Sequence, residues 1–465
     1  MRSAEEKTEL RKLAEFIYDL TWEALPAAVQ EAAACRVLDL VSVAMGAAGD
    51  DLVRRAAASL EKLAGEGSIS VWGWDKTYPL STAAMLNAML AHTLELDDVH
   101  PASKTHGSAS LIPAAWSCAQ FLGSSGKEFL TAVVCGYETV SRIGMALGVS
   151  AHRNRGWHAT STCGVFGCAA ACAKLLKLNT DQILWALGMA GTQSCGLWAF
   201  LGDGCSCKIL HTGRAAVNGL EAAFLAASGM TGPEHILEAE DGGLLKAMSD
   251  GGDISRVSAG LGETYEILNM DMKPYPCCRS AHPAVDCALR LREQIRTAAG
   301  KDEVRFEDEI EHIRIATYLV GYKQCAVSEG CLHPRRVLDA KFSTPYSVAA
   351  AFLFGKVTME EFEPEVILDP RVQALLEKVE VVPEERFTCR YPAHWGCGME
   401  VRLKDGRAVR TETEDPSGSV SRPLTKEEAM AKARAFIGKC YPGREDEIMG
   451  EILELAELER MPVWQ

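Results

Sequence analysis

The sequence predicts a mainly α protein, a large all-helical domain carrying a smaller α+β domain. Three observations lead there. Apolar residues recur at three- and four-residue spacing from residue 8 to about 265. Near residue 273 that spacing gives way to alternating stretches interleaved with helices. At Thr425–x–x–Glu428 a capping box returns the chain to helix. A helical tail after an α+β segment most simply rejoins the first domain. The helical domain is therefore placed at 1–268 plus 418–465 and the α+β domain at 269–417.

Taken in order, "MRSAEEKTELRKLAEFIYDL" reads as an amphipathic helix with acids throughout, unlike a signal peptide. Helical spacing continues in "VQEAAACRVLDLVSVAMGAAG", "LIPAAWSCAQFLG", "GKEFLTAVVCGYETVSRIGMALG", "GVFGCAAACAKLLKL" and "TDQILWALGMAGTQSCGL". Alanine, glycine and cysteine dominate many of these faces, which lets helices approach closely. Gly65, Gly67, Gly123 and Gly148 supply stops. Beyond 273, "HIRIATYLV" (312–320) and "KVEVVP" (378–383) alternate like strands. "MEVRLKDGRAVRTET" (399–413) reads as a hairpin turning at Asp405–Gly406. Helices "HPAVDCALRLREQI", "PYSVAAAFLFGKV" and "DPRVQALLEKV" fall between them.

A chain of 465 residues is too long for one small core. Its 48% hydrophobic and 24% charged residues are a globular balance, and no apolar run approaches the roughly 20 residues that span a bilayer. The net charge of −15 argues against nucleic acid and anionic membrane as partners. It does not argue against a small anion, which needs only a few placed cations. Seventeen cysteines scattered through apolar helices suit reduced, buried thiols in a cytoplasm better than a disulfide framework.

Four stretches carry chemistry. "LELDDVHPASKTHGSA" (94–109) packs Glu95, Asp97, Asp98, His100 and His106 together, with Glu95 and Asp98 on one helical face and Asp97 pointing elsewhere. Metal ligation, acid/base work and simple helix capping all remain open here, although no zincin-like spacing or cysteine pair supports a metal. "RNRGWHATSTCGVFG" (153–167) sets His158 at a helix entrance beside hydroxyls and glycines. "LGDGCSCKILHTGRAA" (201–216) delivers Lys208, His211 and Arg214, at spacings of three, onto one helical face. It lacks Walker spacing, so it reads as an anion or salt-bridge face rather than an ATP loop. "KPYPCCRSAHPAVD" (273–286) stiffens Lys273, Cys278, Arg279 and His282 at the seam between the two textures, a common place for a pocket.

In that order, "AHTLELDDVHPASKTHGSA", "GWHATSTCGVFGCAAACAKLL", "KILHTGRAAVNGLEAAFLAASGMTGPEHILE", "KPYPCCRSAHPAVD" and "DAKFSTPYSVAAAF" resemble the signature segments of the MmgE/PrpD family. The resemblance implies a helical domain built from both chain ends, an α+β lid domain, a homodimer, and no metal or organic cofactor. It implies proton transfer at carbon next to carboxylate. His106 and His158 match the family's pocket histidines, Lys208 and Lys273 its lysines, and Tyr318 the tyrosine on its lid strand. Glu95 stands where the decarboxylase branch has Asp, Val99 where it has Thr, and Cys278 where it has His.

The expectation is therefore a cofactor-free dehydratase of a 2-methylcitrate-like hydroxy acid. Lys208, Lys273 and Arg279 would hold carboxylates, one histidine would be base, and the other histidine or Tyr318 acid. Glu95 and Cys278 would line the substrate. An epimerase of the iminodisuccinate type, a cis-aconitate-type decarboxylase and a non-catalytic carboxylate-binding protein are the alternatives.

Overall fold

Helix α1 (Glu9–Asp19) buries the stripe Leu10, Leu13, Ala14 and Ile17, as its period requires. This computed structural model describes residues 7–300 and 304–464, so the first six residues of the stretch read as an amphipathic helix lie outside it. The chain divides into two units, one of 1–198, 207–271 and 425–465, the other of 199–206 and 272–424.

The first unit continues with α2 (Ala27–Gly46), α3 (Asp51–Ala64), α4 (Leu80–Thr93), α5 (Ser108–Leu122) and α6 (Gly126–Leu147). After these come α7 (Val149–Asn154), α8 (Ala159–Thr162), α9 (Gly164–Leu175) and α10 (Thr180–Thr192). A short α11 (Phe200–Asp203) belongs to the second unit, and the first resumes with α12 (Lys208–Ala227) and α13 (Leu244–Met248). Helices α4, α5, α6 and α9 are apolar nearly all round and buried to match, which makes them core helices rather than surface ones. No single helix among the described residues is long and apolar enough to cross a membrane.

Glycine lets these helices close up. A Cβ on Gly219 of α12 would stand 2.5 Å from both Cys168 Cβ and Val165 O of α9. Because one of these obstacles is backbone, Gly219→Val should cost at least the ~1–3 kcal/mol of ordinary overpacking, measured by urea unfolding. Stability within ~0.5 kcal/mol of wild type would mean that α12 is not seated by this contact.

Several features depart from the helical reading, among them the run from 228 to 265, where only α13 and the 3-10 turn Ile254–Val257 are helical. Ile69–Ser70 and Thr77–Tyr78 pair as a short antiparallel ribbon, β1 and β2. Helix α4 also stops at Thr93, and Glu95 has φ +58°, so Glu95 and Asp98 do not share a helical face. The chain returns to helix at Thr425, whose capping box with Glu428 is formed. In the helix it opens (Lys426–Cys440), Lys432 Nζ reaches Asp39 at 2.7 Å and the Leu96 carbonyl at 3.1 Å.

The second unit holds a four-stranded sheet in the order β4-β3-β5-β6, from β3 (Ile310–Thr317), β4 (Val379–Pro383), β5 (Cys397–Leu403) and β6 (Ala408–Thr413). Strand β3 runs parallel to β4 and antiparallel to β5. The β5–β6 hairpin turns at Gly406, whose φ of +89° favours glycine. Ile313, Ile315, Met399 and Val401 join a core with Val285 and Leu291 of α14 (His282–Ala299) and with Phe352. On the register, Glu380, Arg314, Glu400 and Arg410 form an alternating charge row across the four strands. Tyr318 is not on the strand: β3 ends at Thr317, where its partners run out at Pro383 and Cys397. Tyr318 instead caps the helix Leu319–Cys325 and stacks on Tyr391 with ring centroids 4.8 Å apart.

Candidate active site

The site is built on the irregular segment between α4 and α5. A bridge to Asp271 holds it at Val99, with backbone bonds of 3.0 and 2.8 Å. His100 braces it through Ser103 Oγ at 2.8 Å and Glu266 Oε2 at 3.0 Å. Asp98 is buried and accepts from Ser108 Oγ at 2.5 Å and Tyr137 OH at 2.7 Å. Burial nevertheless pushes its pKa up to about 6. These contacts fix the segment before any substrate arrives.

His106 ends the segment. Its Nδ1 lies 2.7 Å from the Asp98 carbonyl and 3.2 Å from Asp97 Oδ2. Both partners only accept, so Nδ1 carries the proton and Nε2 is the basic nitrogen. His92, at the end of α4, is fully buried, with Nδ1 2.7 Å from the same Asp97 oxygen and Nε2 2.7 Å from Lys208 Nζ. Lys208 opens α12 and also donates to Glu95 Oε1. A continuous chain Asp97–His92–Lys208–Glu95 results, in which each proton position follows from the partner's chemistry.

His158 precedes α8, its N–H bonded to the Gly196 carbonyl at 3.0 Å. Its ring stacks on His92 at 6.1 Å, and its Nδ1 lies 2.9 Å from His211 Nδ1. Burial, followed by the charge of Lys208, holds His158 well below its ordinary 6.5. Burial likewise brings His211 down to about 4, helped by His92 and Lys208. Both imidazoles are neutral near pH 7, so one Nδ1 donates and the other accepts.

The structure thus gathers Glu95, His106, His158 and Lys208 in the first unit. Arg214 departs from the one-face reading: Lys208 is buried, His211 half-buried, and Arg214 exposed. Six residues is about one and two-thirds turns, which carries Arg214 away from Lys208. Lys273, Cys278, Arg279 and Tyr318 lie in the second unit. There Gln324 donates to Cys278 Sγ at 3.3 Å, and Arg279 donates to the Ser417 carbonyl at 2.7 Å. Lys273 is buried. Burial drives the Tyr318 phenol well above 10, so it stays protonated. Among the described residues no group of three His, Cys, Asp or Glu side chains is arranged to hold a metal ion.

The MmgE/PrpD N-terminal domain model matches residues 11–257, and the C-terminal domain model matches 275–456. The chain belongs to the MmgE/PrpD family. MmgE/PrpD relatives include the cis-aconitate decarboxylase-like protein oryM of Aspergillus oryzae, 29% identical over 91% of this chain and 89% of its own. Cis-aconitate decarboxylase of Aspergillus terreus is 26% identical over 95% of this chain and 91% of its own. 2-Methylcitrate dehydratase of Salmonella typhimurium is 29% identical over 63% of this chain and 61% of its own. The sequence reading of this MmgE/PrpD chain missed His92 and the pairing of His211 with His158. A signal for His92 existed, since it is a titratable residue on a helix otherwise apolar and buried, three positions before Glu95.

Proposed function

We propose that this chain is a cofactor-free acid/base enzyme that moves a proton at carbon next to carboxylate in a di- or tricarboxylic acid. Dehydration of a 2-methylcitrate-like hydroxy acid is the leading form of that reaction. The observation that carries it is His106, whose Nδ1 is engaged by two acceptors while its side chain keeps 15% exposure, against none for His92. A histidine so held has a fixed tautomer, with Nε2 as its basic nitrogen.

His106 Nε2 takes the proton from carbon. Lys208, held by His92 and Glu95, offers an N–H to the enolate oxygen as charge develops there. His158, kept neutral, donates a hydrogen bond to the oxyanion, as a neutral imidazole does in other enolising sites, and the proton that His106 took from carbon passes to the departing hydroxyl, which leaves as water. On the family resemblance, Lys273, Cys278, Arg279 and Tyr318 of the second unit are also proposed to contact substrate. A homodimer and a cytoplasmic setting belong to the same reading.

Decarboxylation is the second reading, favoured by one observation: the Aspergillus terreus cis-aconitate decarboxylase aligns over 95% of the chain and the decarboxylase-like protein oryM over 91%, the dehydratase over 63%. The discriminating experiment incubates the protein with 2-methylcitrate and with cis-aconitate in deuterated water, followed by NMR and mass spectrometry. Loss of water from the first supports dehydration, and loss of carbon dioxide from the second supports decarboxylation. Exchange of the carbon-bound proton with no other change of mass points to epimerisation. An absence of exchange and turnover with both acids would sink the proton-transfer reading.

A further inference from the structure

The chemistry at the histidine cluster consumes the charge it was expected to offer. Lys208 is matched by Glu95, and Asp97 adds a second carboxylate beside His92 and His106. A carboxylate substrate approaching this wall meets in Lys208 a cation already paired with a carboxylate. Within the same unit, however, a guanidinium stands nearby that the mechanism does not use.

Arg153 lies in the last turn of α7, half-buried, with Cζ 4.3 Å from the centre of the Trp198 ring. Trp198 in turn packs edge-on against His158, with ring centroids 4.9 Å apart. This placement is built into the backbone. Residues 156–158 run antiparallel to 196–198, through Trp198 N–H to Gly156 O at 2.8 Å and His158 N–H to Gly196 O at 3.0 Å. His152, one residue before Arg153, is pinned to the Met248 carbonyl at 2.9 Å and to Thr162 Oγ1 at 2.8 Å. So α7, Trp198 and His158 are fixed as one piece.

Arg153 makes no ion pair or side-chain hydrogen bond among the described residues. Its neighbour Arg155 pairs with Asp250 at 2.9 Å in the open. Burial alone lowers the Arg153 pKa to about 10, with no carboxylate nearby to offset it. A guanidinium lying over an indole face keeps its planar N–H edge available, and that edge fits a carboxylate in bidentate fashion. Desolvation without an acid is costly unless a ligand supplies one.

We propose that Arg153, seated on Trp198 beside His158, binds the substrate carboxylate remote from the reacting carbon and so selects acids that carry one. This assignment rests on the reaction class proposed above.

The test uses acids with nothing to eliminate. The full-length protein is titrated calorimetrically with propane-1,2,3-tricarboxylate and with butanedioate, which lacks one carboxylate arm. Wild type should prefer the tricarboxylate by about 10- to 100-fold, the range of one charge-assisted contact. Arg153→Gln should abolish the preference, and Arg153→Lys, with charge but no planar fork, should restore part of it. Melting curves are taken alongside; if the glutamine variant is unstable, partial loss of preference in the lysine variant carries the test. Preference retained in Arg153→Gln, or both acids weakened equally, overturns the role of Arg153 and leaves the proton-transfer reading standing. Wild type that binds neither acid overturns that reading, and the assignment with it.

Discussion

His106→Ala should lower kcat by roughly 10²–10⁴-fold, the usual worth of a positioned general base, while its melting temperature stays within a few degrees of wild type. The ring is partly exposed, and its Nδ1 partners are a backbone carbonyl and a carboxylate that water is able to satisfy in its place. His158→Ala is a different case. His158 is buried between His92 and Trp198, and its loss would strand His211 Nδ1 and leave a void. It should therefore lose both activity and several degrees of melting temperature. Proton exchange separates the roles further. The variant without its base should stop exchanging the carbon-bound proton in deuterated water. His158→Ala should still exchange it while failing to complete the reaction. A His106→Ala enzyme that exchanges at the wild-type rate would remove His106 from the base role. The double variant should be little worse than the worse single one if the two serve one proton path.

Why some of this was legible in the sequence and some was not has physical causes. Period and turn chemistry are local, so α1, the β5–β6 hairpin at Gly406 and the capping box at Thr425 followed from neighbours a few residues apart. The stop of α4 at Thr93 did not, because the turn at Glu95 depends on partners far along the chain, such as Asp271 and Lys432. The two-residue ribbon of β1 and β2 is too short to show any period. Within the site, His106, His158 and Lys208 stood out by their neighbours in sequence. His92 did not, because its meaning comes from Lys208, 116 residues away. The pair of Lys208 with Glu95 agrees with the salt-bridge reading of that face, whereas the departure of Arg214 from it is a fact of packing.

Lys208 should prove to have two separable duties. Lys208→Met leaves the Glu95 carboxylate buried without its cation, a loss on the order of 3–5 kcal/mol, and should lower the melting temperature sharply. Activity would fall with it, so the single variant cannot say which duty matters. Glu95→Gln on the Lys208→Met background removes the stranded charge as well. Replacing both members of a buried pair by neutral groups of similar shape is often close to neutral, so most of the stability should return. The interaction between the two sites, read from the full double-mutant cycle by chemical denaturation, should be about 2–4 kcal/mol. Turnover should not return, because no N–H of an ammonium remains to stabilise the charge that develops as the carbon-bound proton leaves. Substrate affinity and kcat should both stay depressed in the stable double variant, since the cation acts on the bound carboxylate and on the enolate alike. If the double variant regains wild-type kinetics together with its stability, Lys208 is a structural partner of Glu95, and the charge that drives the reaction must be sought elsewhere in the chain.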